Sequence, residues 1–83
     1  MWVRNRKGAL INLDAVRTVD LADPEHPLGS RTFSRWSVIF IGNAGEIGII
    51  EACESREEAV RLRDDIWSAL TNGRNLDIRD LGA

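Results

Sequence analysis

Cysteine and histidine each occur once in this chain, as Cys53 and His26. A nucleophile with its base, or a closed metal site, would have to be built around them. Neither has a partner at the spacing such chemistry needs. There is no CxxC pair, and no motif places a serine or cysteine beside His26, which stands between Pro24 and Pro27. A metal site would need carboxylates to complete it, and the carboxylates fall mostly on what reads as the outer side of a helix. Cys53 reads as a small buried residue near a strand end, because nothing around it would lower its thiol pKa. His26 reads as an exposed loop residue. The run Gly42-Asn43-Ala44-Gly45-Glu46-Ile47-Gly48 has the look of a phosphate cradle. Its glycines precede a strand and not a helix, and no Lys-Ser/Thr follows, so they read as hairpin geometry. The sequence therefore points to a non-enzyme with no cofactor and no metal.

A second chemistry is stacking. Trp2, Phe33 and Trp36 could offer flat surfaces to unpaired bases, with Arg4, Arg6, Lys7, Arg31 and Arg35 meeting phosphates. The charge balance argues against it. Residues 1–43 carry six Lys/Arg against four Asp/Glu, residues 44–83 carry five against nine, and the whole chain is at −2. The basic residues are scattered, with no dense basic strand. Nucleic acid is the alternative partner here, not the leading one.

One helix organises the elements that must position these residues. Ser55-Arg56-Glu57-Glu58 is a capping box, with the Ser55 hydroxyl expected to accept from the Glu58 amide and the Glu58 carboxylate to accept from the Ser55 amide. Glu57 and Glu58 also suit the positive end of the helix dipole, and Asn72-Gly73 marks the stop near Thr71. At about 100° per residue, Ala59, Leu62, Ile66, Ala69 and Leu70 share a stripe that Val60 and Trp67 extend. Arg61, Asp64, Asp65 and Ser68 take the opposite arc. Arg63 projects inside the apolar arc, either laying its stem over the Trp67 ring or pairing with an acid.

The remaining segments alternate as strands do. Trp2-Val3-Arg4, a basic turn at Arg6-Lys7-Gly8 and Ala9-Leu10-Ile11-Asn12 make a hairpin signal. Asp14 offers an Asx-type corner, after which Ala15 to Leu21 alternate. Asp23 to Ser30, with two prolines and a glycine, is a loop in which a binding function could sit. Phe33 to Ile41 is the strongest strand signal, and Ile47 to Ala52 returns from it. In the tail, residues 74–83, Leu76 to Leu81 alternate like a strand that pairs with an edge of its own sheet, pairs with a neighbouring chain's sheet, or frays.

Both faces of the Phe33 to Ile41 strand are apolar: Trp36, Val38 and Phe40 on one, Ile39 and Ile41 on the other beside Ser37. One helix covers one face. The other needs curvature or a second chain, which makes Ile39, Ile41, Ile49 and Ile50 the candidate interface of a homodimer. At 83 residues the chain is one domain, small enough that burial against a partner matters. With 43% hydrophobic and 29% charged residues it has the composition of a folded soluble protein. It shows no membrane-length apolar run and no signal peptide at Met1-Trp2-Val3-Arg4, so it reads as cytoplasmic, with no membrane partner.

The succession Gly8 to Val16, then a polar loop, a strong hairpin and Ser55-Arg56-Glu57-Glu58-Ala59 opening a C-terminal helix, resembles short bacterial and phage-borne proteins of unknown function. That resemblance implies a fold and brings no catalytic residue with it. In element order alone, the chain is also similar to the whirly-type single-stranded DNA-binding fold and to the end of a pleckstrin-homology domain. The expected architecture is α+β: a curved antiparallel sheet of four to five strands with the C-terminal helix, about residues 55–71, packed on one face. The expected function is a non-catalytic interaction or accessory module acting as a homodimer.

Overall fold

The computed structural model describes residues 1–81; the last two residues of the expected tail lie outside the described residues. The fold is α+β, with strands β1 (Trp2–Arg4), β2 (Leu10–Asn12), β3 (Val16–Ala22), β4 (Ser37–Gly42) and β5 (Ile47–Ala52) preceding helix α1 (Arg56–Thr71), and β6 (Leu76–Asp77) after it. The strands form two three-stranded sheets, ordered β2-β1-β6 and β3-β4-β5, where one sheet of four to five strands was expected. All pairings are antiparallel except β1 with β6, which is parallel.

The division has a local cause at the corner between β2 and β3. The Asn12 side chain accepts from the Asp14 amide at 3.0 Å and caps a 3-10 turn over Leu13–Ala15. Leu13 is buried there, so the turn is anchored and the chain leaves it in a new sheet. The sequence places this corner correctly but gives the capping role to Asp14. Asp14 instead holds the N-terminal ammonium at 2.8 Å. A matching device ends β6, where Asp77 accepts from the Arg79 amide and caps the turn Ile78–Asp80, again with its first residue buried. The tail therefore adds to the chain's own small sheet.

The helix follows its sequence signals. Ser55 Oγ accepts from the Glu58 amide at 3.1 Å, a cap worth about 1 kcal/mol. The reciprocal bond is shifted by one residue, with Glu58 accepting from the amide of Glu54 at 2.9 Å. At the other end Gly73 adopts φ +65°, its amide donates to Leu70 and that of Arg74 to Ala69. This is the Schellman arrangement, which needs a left-handed residue at that point. Ala59, Leu62, Ile66 and Ala69 are buried. Trp67 departs from expectation, being 67% exposed: α1 packs on β3 and β4 through its buried stripe, and the Trp67 side chain lines a shallow recess with Val19 of β3 at the edge of that contact.

The main core joins three sources: Val3, Leu13 and Ile78 from the small sheet and its turns, Val38 and Ile50 with Cys53 from the larger sheet, and Ala59, Leu62 and Ile66 from the helix. A second, smaller cluster of Ala22, Phe33 and Ile39, with Ile47 against it, lies apart from the first. Phe33 and Trp36 precede β4 instead of belonging to it. In Leu28 to Arg31 the two residues exchange backbone hydrogen bonds of 2.9 Å around Gly29, and the chain then brings the Phe33 ring under Ile39. The loop's return leg thus does part of the covering that was assigned to a second chain.

Candidate interaction surfaces

The four isoleucines expected to form one interface do not stay together. Ile39 and Ile50 are fully buried in their own chain, Ile39 in the small cluster and Ile50 in the main core. Ile50 turns inward by simple alternation, two residues along β5 from Gly48, which pairs with Phe40 on the core side; the register shift between Val38 and Ile39 makes Ile50 the extra residue of a bulge. Ile41 is half-buried and Ile49 is 42% exposed. Directly paired residues share a face, so Asp20, Ile39 and Ile49 make one row across the sheet and Thr18, Ile41 and Ile47 the next. Asp20 is exposed at the β3 end of its row, so the open apolar part of this face is its β5 side. On the opposite face the Phe40 ring lies over Gly48, where a Cβ would come within 2.2 Å of it. Glycine at this position makes room for the ring.

The aromatic and basic residues are also divided. Trp2, 48% exposed, shares the outer face of the small sheet with Arg4 and Leu10, but Arg4 is paired with Asp77 at 3.3 Å. Arg31 donates to the Ile47 carbonyl at 2.9 Å and lies over the Phe33 ring, which is itself buried. Arg35 donates to the Cys53 carbonyl and pairs with Glu54, while the half-buried Trp36 lies beneath the Arg56 guanidinium. Arg6 pairs with Glu58 at 2.9 Å, and Lys7 is exposed at the hairpin tip. The stacking set is thus spread along the chain, with the guanidiniums of Arg4, Arg6, Arg31 and Arg35 each turned to an acceptor of its own chain.

Arg6 carries a structural role that charge counting does not reveal. The hairpin turn closes on Asn5, whose side chain accepts from the amides of Lys7 and Ala9. That leaves the Arg6 amide pointing outward to the Glu51 carboxylate, 2.7 Å away, and its guanidinium to Glu58. Glu51 is 7% exposed. The small sheet is thereby tied both to β5 and to the first turn of α1. Glu58 is held below the usual glutamate range, first by the Glu54 amide and then by Arg6. Its contribution to stability is full at neutral pH and lost as the pH falls from the ordinary glutamate value through the lower folded one. Glu58→Gln should thus unfold at lower urea than the parent chain at neutral pH, with the gap closing in acid. A gap independent of pH would show that charge has no part in it.

The remaining chemistry-bearing residues sit as their neighbours dictate. Cys53 is buried just past β5, and burial pushes its thiol up, away from thiolate character. His26 is exposed in the loop, with Nδ1 2.8 Å from Asp23. Arg63 lines a shallow recess with Val19, Trp67 and Leu70, and its Nε is 3.5 Å from Asp64. Among the described residues, no group of three His, Cys, Asp or Glu side chains is placed to hold a metal ion. No helix among them is long and apolar enough to cross a membrane. No protein-family model, curated protein or solved structure matches this chain.

Proposed function

We propose that this chain is a non-catalytic interaction module that works as a homodimer. The observation that supports it best is the incompletely covered face of the β3-β4-β5 sheet. Phe33 and Ala22 close over Ile39, but Ile41 and Ile47 remain half-buried and Ile49 remains open. Aliphatic side chains continuous with a core cluster gain about 25 cal/mol for each Å2 removed from water. A second copy supplies a cover without any further element in the chain. Sedimentation equilibrium across micromolar concentrations should give twice the 9.3 kDa chain mass. A single species at the chain mass throughout would overturn the reading.

Single-stranded nucleic-acid binding is the second reading, and one observation favours it: Trp2 is exposed on the same face as Arg4. Asp77 and Asp80 flank that face, which sets acid beside Trp2, the exposed aromatic of the stacking set. Salt-sensitive quenching of tryptophan fluorescence by an oligothymidine would favour it over the dimer; no quenching at low salt would remove it.

A further inference from the structure

Two charges flank the incompletely covered face of the β3-β4-β5 sheet, one at each edge. Asp20 stands exposed on β3, at the end of the row it forms with Ile39 and Ile49. Its carboxylate accepts from the adjacent Leu21 amide at 2.8 Å. Arg31 belongs to the other edge. Its guanidinium lies 5.7 Å from the centre of the Phe33 ring, which rests on Ala22 and Ile39 of this face, and Nη1 donates to the Ile47 carbonyl of β5. The ion pairs among the described residues include neither Asp20 nor Arg31.

Within one chain these two charges stay apart. β3 and β5 lie on either side of β4, so they are two strand spacings apart, about 10 Å. Asp20 and Ile47 also stand in neighbouring rows, a step of about 7 Å along the strands, which makes the separation roughly 12 Å. Exposed charges at that distance are largely screened.

A second copy can lie face to face on this sheet in two ways, because the two-fold axis must run in the plane between the sheets. With the axis across the strands, β3 faces β3 and β5 faces β5, which turns Asp20 toward Asp20 and Arg31 toward Arg31. With the axis along the strands, β3 of each copy faces β5 of the other. Asp20 then loses the offset across the sheet and keeps only the step of about 7 Å along the strand from the other copy's Arg31, which the two side chains can span.

Resting on the homodimer reading above, we infer that the second copy lies face to face on the open side of β3-β4-β5 with β3 over β5, so that Asp20 of each copy pairs with Arg31 of the other. This packing sets Ile41 against Ile41 across the axis and brings the β3 edge of each copy down over Ile47 and Ile49 of the other, as aligned sheets do. Nε and Nη2 of Arg31 serve the new pair while Nη1 keeps its bond to Ile47. Opposite charges at the two rims select this orientation, since the other one sets like charges together.

The test is sedimentation equilibrium at low salt on Asp20→Arg and Arg31→Asp, alone and mixed in equal amounts. Either variant alone sets like charges together at both contacts and should weaken association about tenfold or more. Mixed, one copy of each makes both contacts complementary, and association should return to that of the parent chain. Because Arg31 also holds the loop, Asp20→Asn decides the orientation if Arg31→Asp fails to fold. Removing the Asp20 charge should weaken a dimer in which Asp20 faces Arg31; an unchanged or tighter dimer would overturn that contact. Variants that leave the doubled mass unchanged, or that weaken it alone and do not recover on mixing, would overturn this packing and leave the homodimer standing. The chain mass for the parent protein would overturn both.

Discussion

Ile39→Asp should unfold this protein at every concentration, whether or not a second copy is present. Ile39 is fully buried against Ala22, Phe33 and Ile47. The substitution removes an apolar side chain worth roughly 2 kcal/mol of burial and sets a carboxylate where no cation awaits it. An unpaired buried charge costs several kcal/mol more. Asp20 lies directly across from Ile39 on the same face, so the new charge also meets a like one. Stability of a domain this size is about 4 to 12 kcal/mol, and the combined loss takes most or all of it. Far-UV circular dichroism at dilute and concentrated protein would check this. Asp64→Asn, on the outer side of α1 where the side chain is exposed, should change the midpoint by no more than about 0.5 kcal/mol. A folded Ile39→Asp monomer would show instead that Ile39 serves an interface and not the core.

The different roles expected and found for Ile39 show where the sequence is legible. Alternation along Phe33 to Ile41 correctly puts Ile39 on the face away from Val38, because a strand has period two whatever surrounds it. What covers that face depends on Phe33, which lies in the same apolar run yet leaves the strand and folds back beneath it. A periodicity argument cannot distinguish a ring that extends a strand from one that caps it. The α1 boundaries are legible because both caps are local: Ser55 with Glu58, and Gly73 with its positive φ. Trp67 is misplaced for the opposite reason. Its angle on the helix places it beside the stripe, but its burial depends on how far the sheet reaches beneath it. The two-sheet division turns on which Asx residue accepts from which amide at Asn12 and Asp14, a choice that composition leaves open. Arg6 was legible only as a positive charge, since its ties to Glu51 and Glu58 join segments far apart in sequence.

Ile78→Ala is expected to cost about 2 to 5 kcal/mol, an effect that a frayed C-terminal tail could not produce. The tail comes after the helix and contains only the two-residue strand β6, so strand length alone would assign it little weight. Its position says otherwise. Leu76 and Asp77 pair with Val3 and Arg4, and Asp77 then caps the turn that points Ile78 into the main core, where it is fully buried. Three methyl or methylene groups are lost on truncation to alanine. The surrounding side chains come from both sheets and from α1, and so cannot all relax into the space together. Asp77 is also held below the usual aspartate range, chiefly by the Arg79 guanidinium, so the cap is charged at neutral pH. Urea denaturation would measure the loss as a lower midpoint at unchanged slope. Asp80→Ala, exposed in the same turn, should stay within about 0.5 kcal/mol of the parent chain. If Ile78→Ala cost less than about 1 kcal/mol, below the range for a buried isoleucine, the tail would not be part of the core. β1 would then be the edge of a two-stranded ribbon, which is marginal on its own.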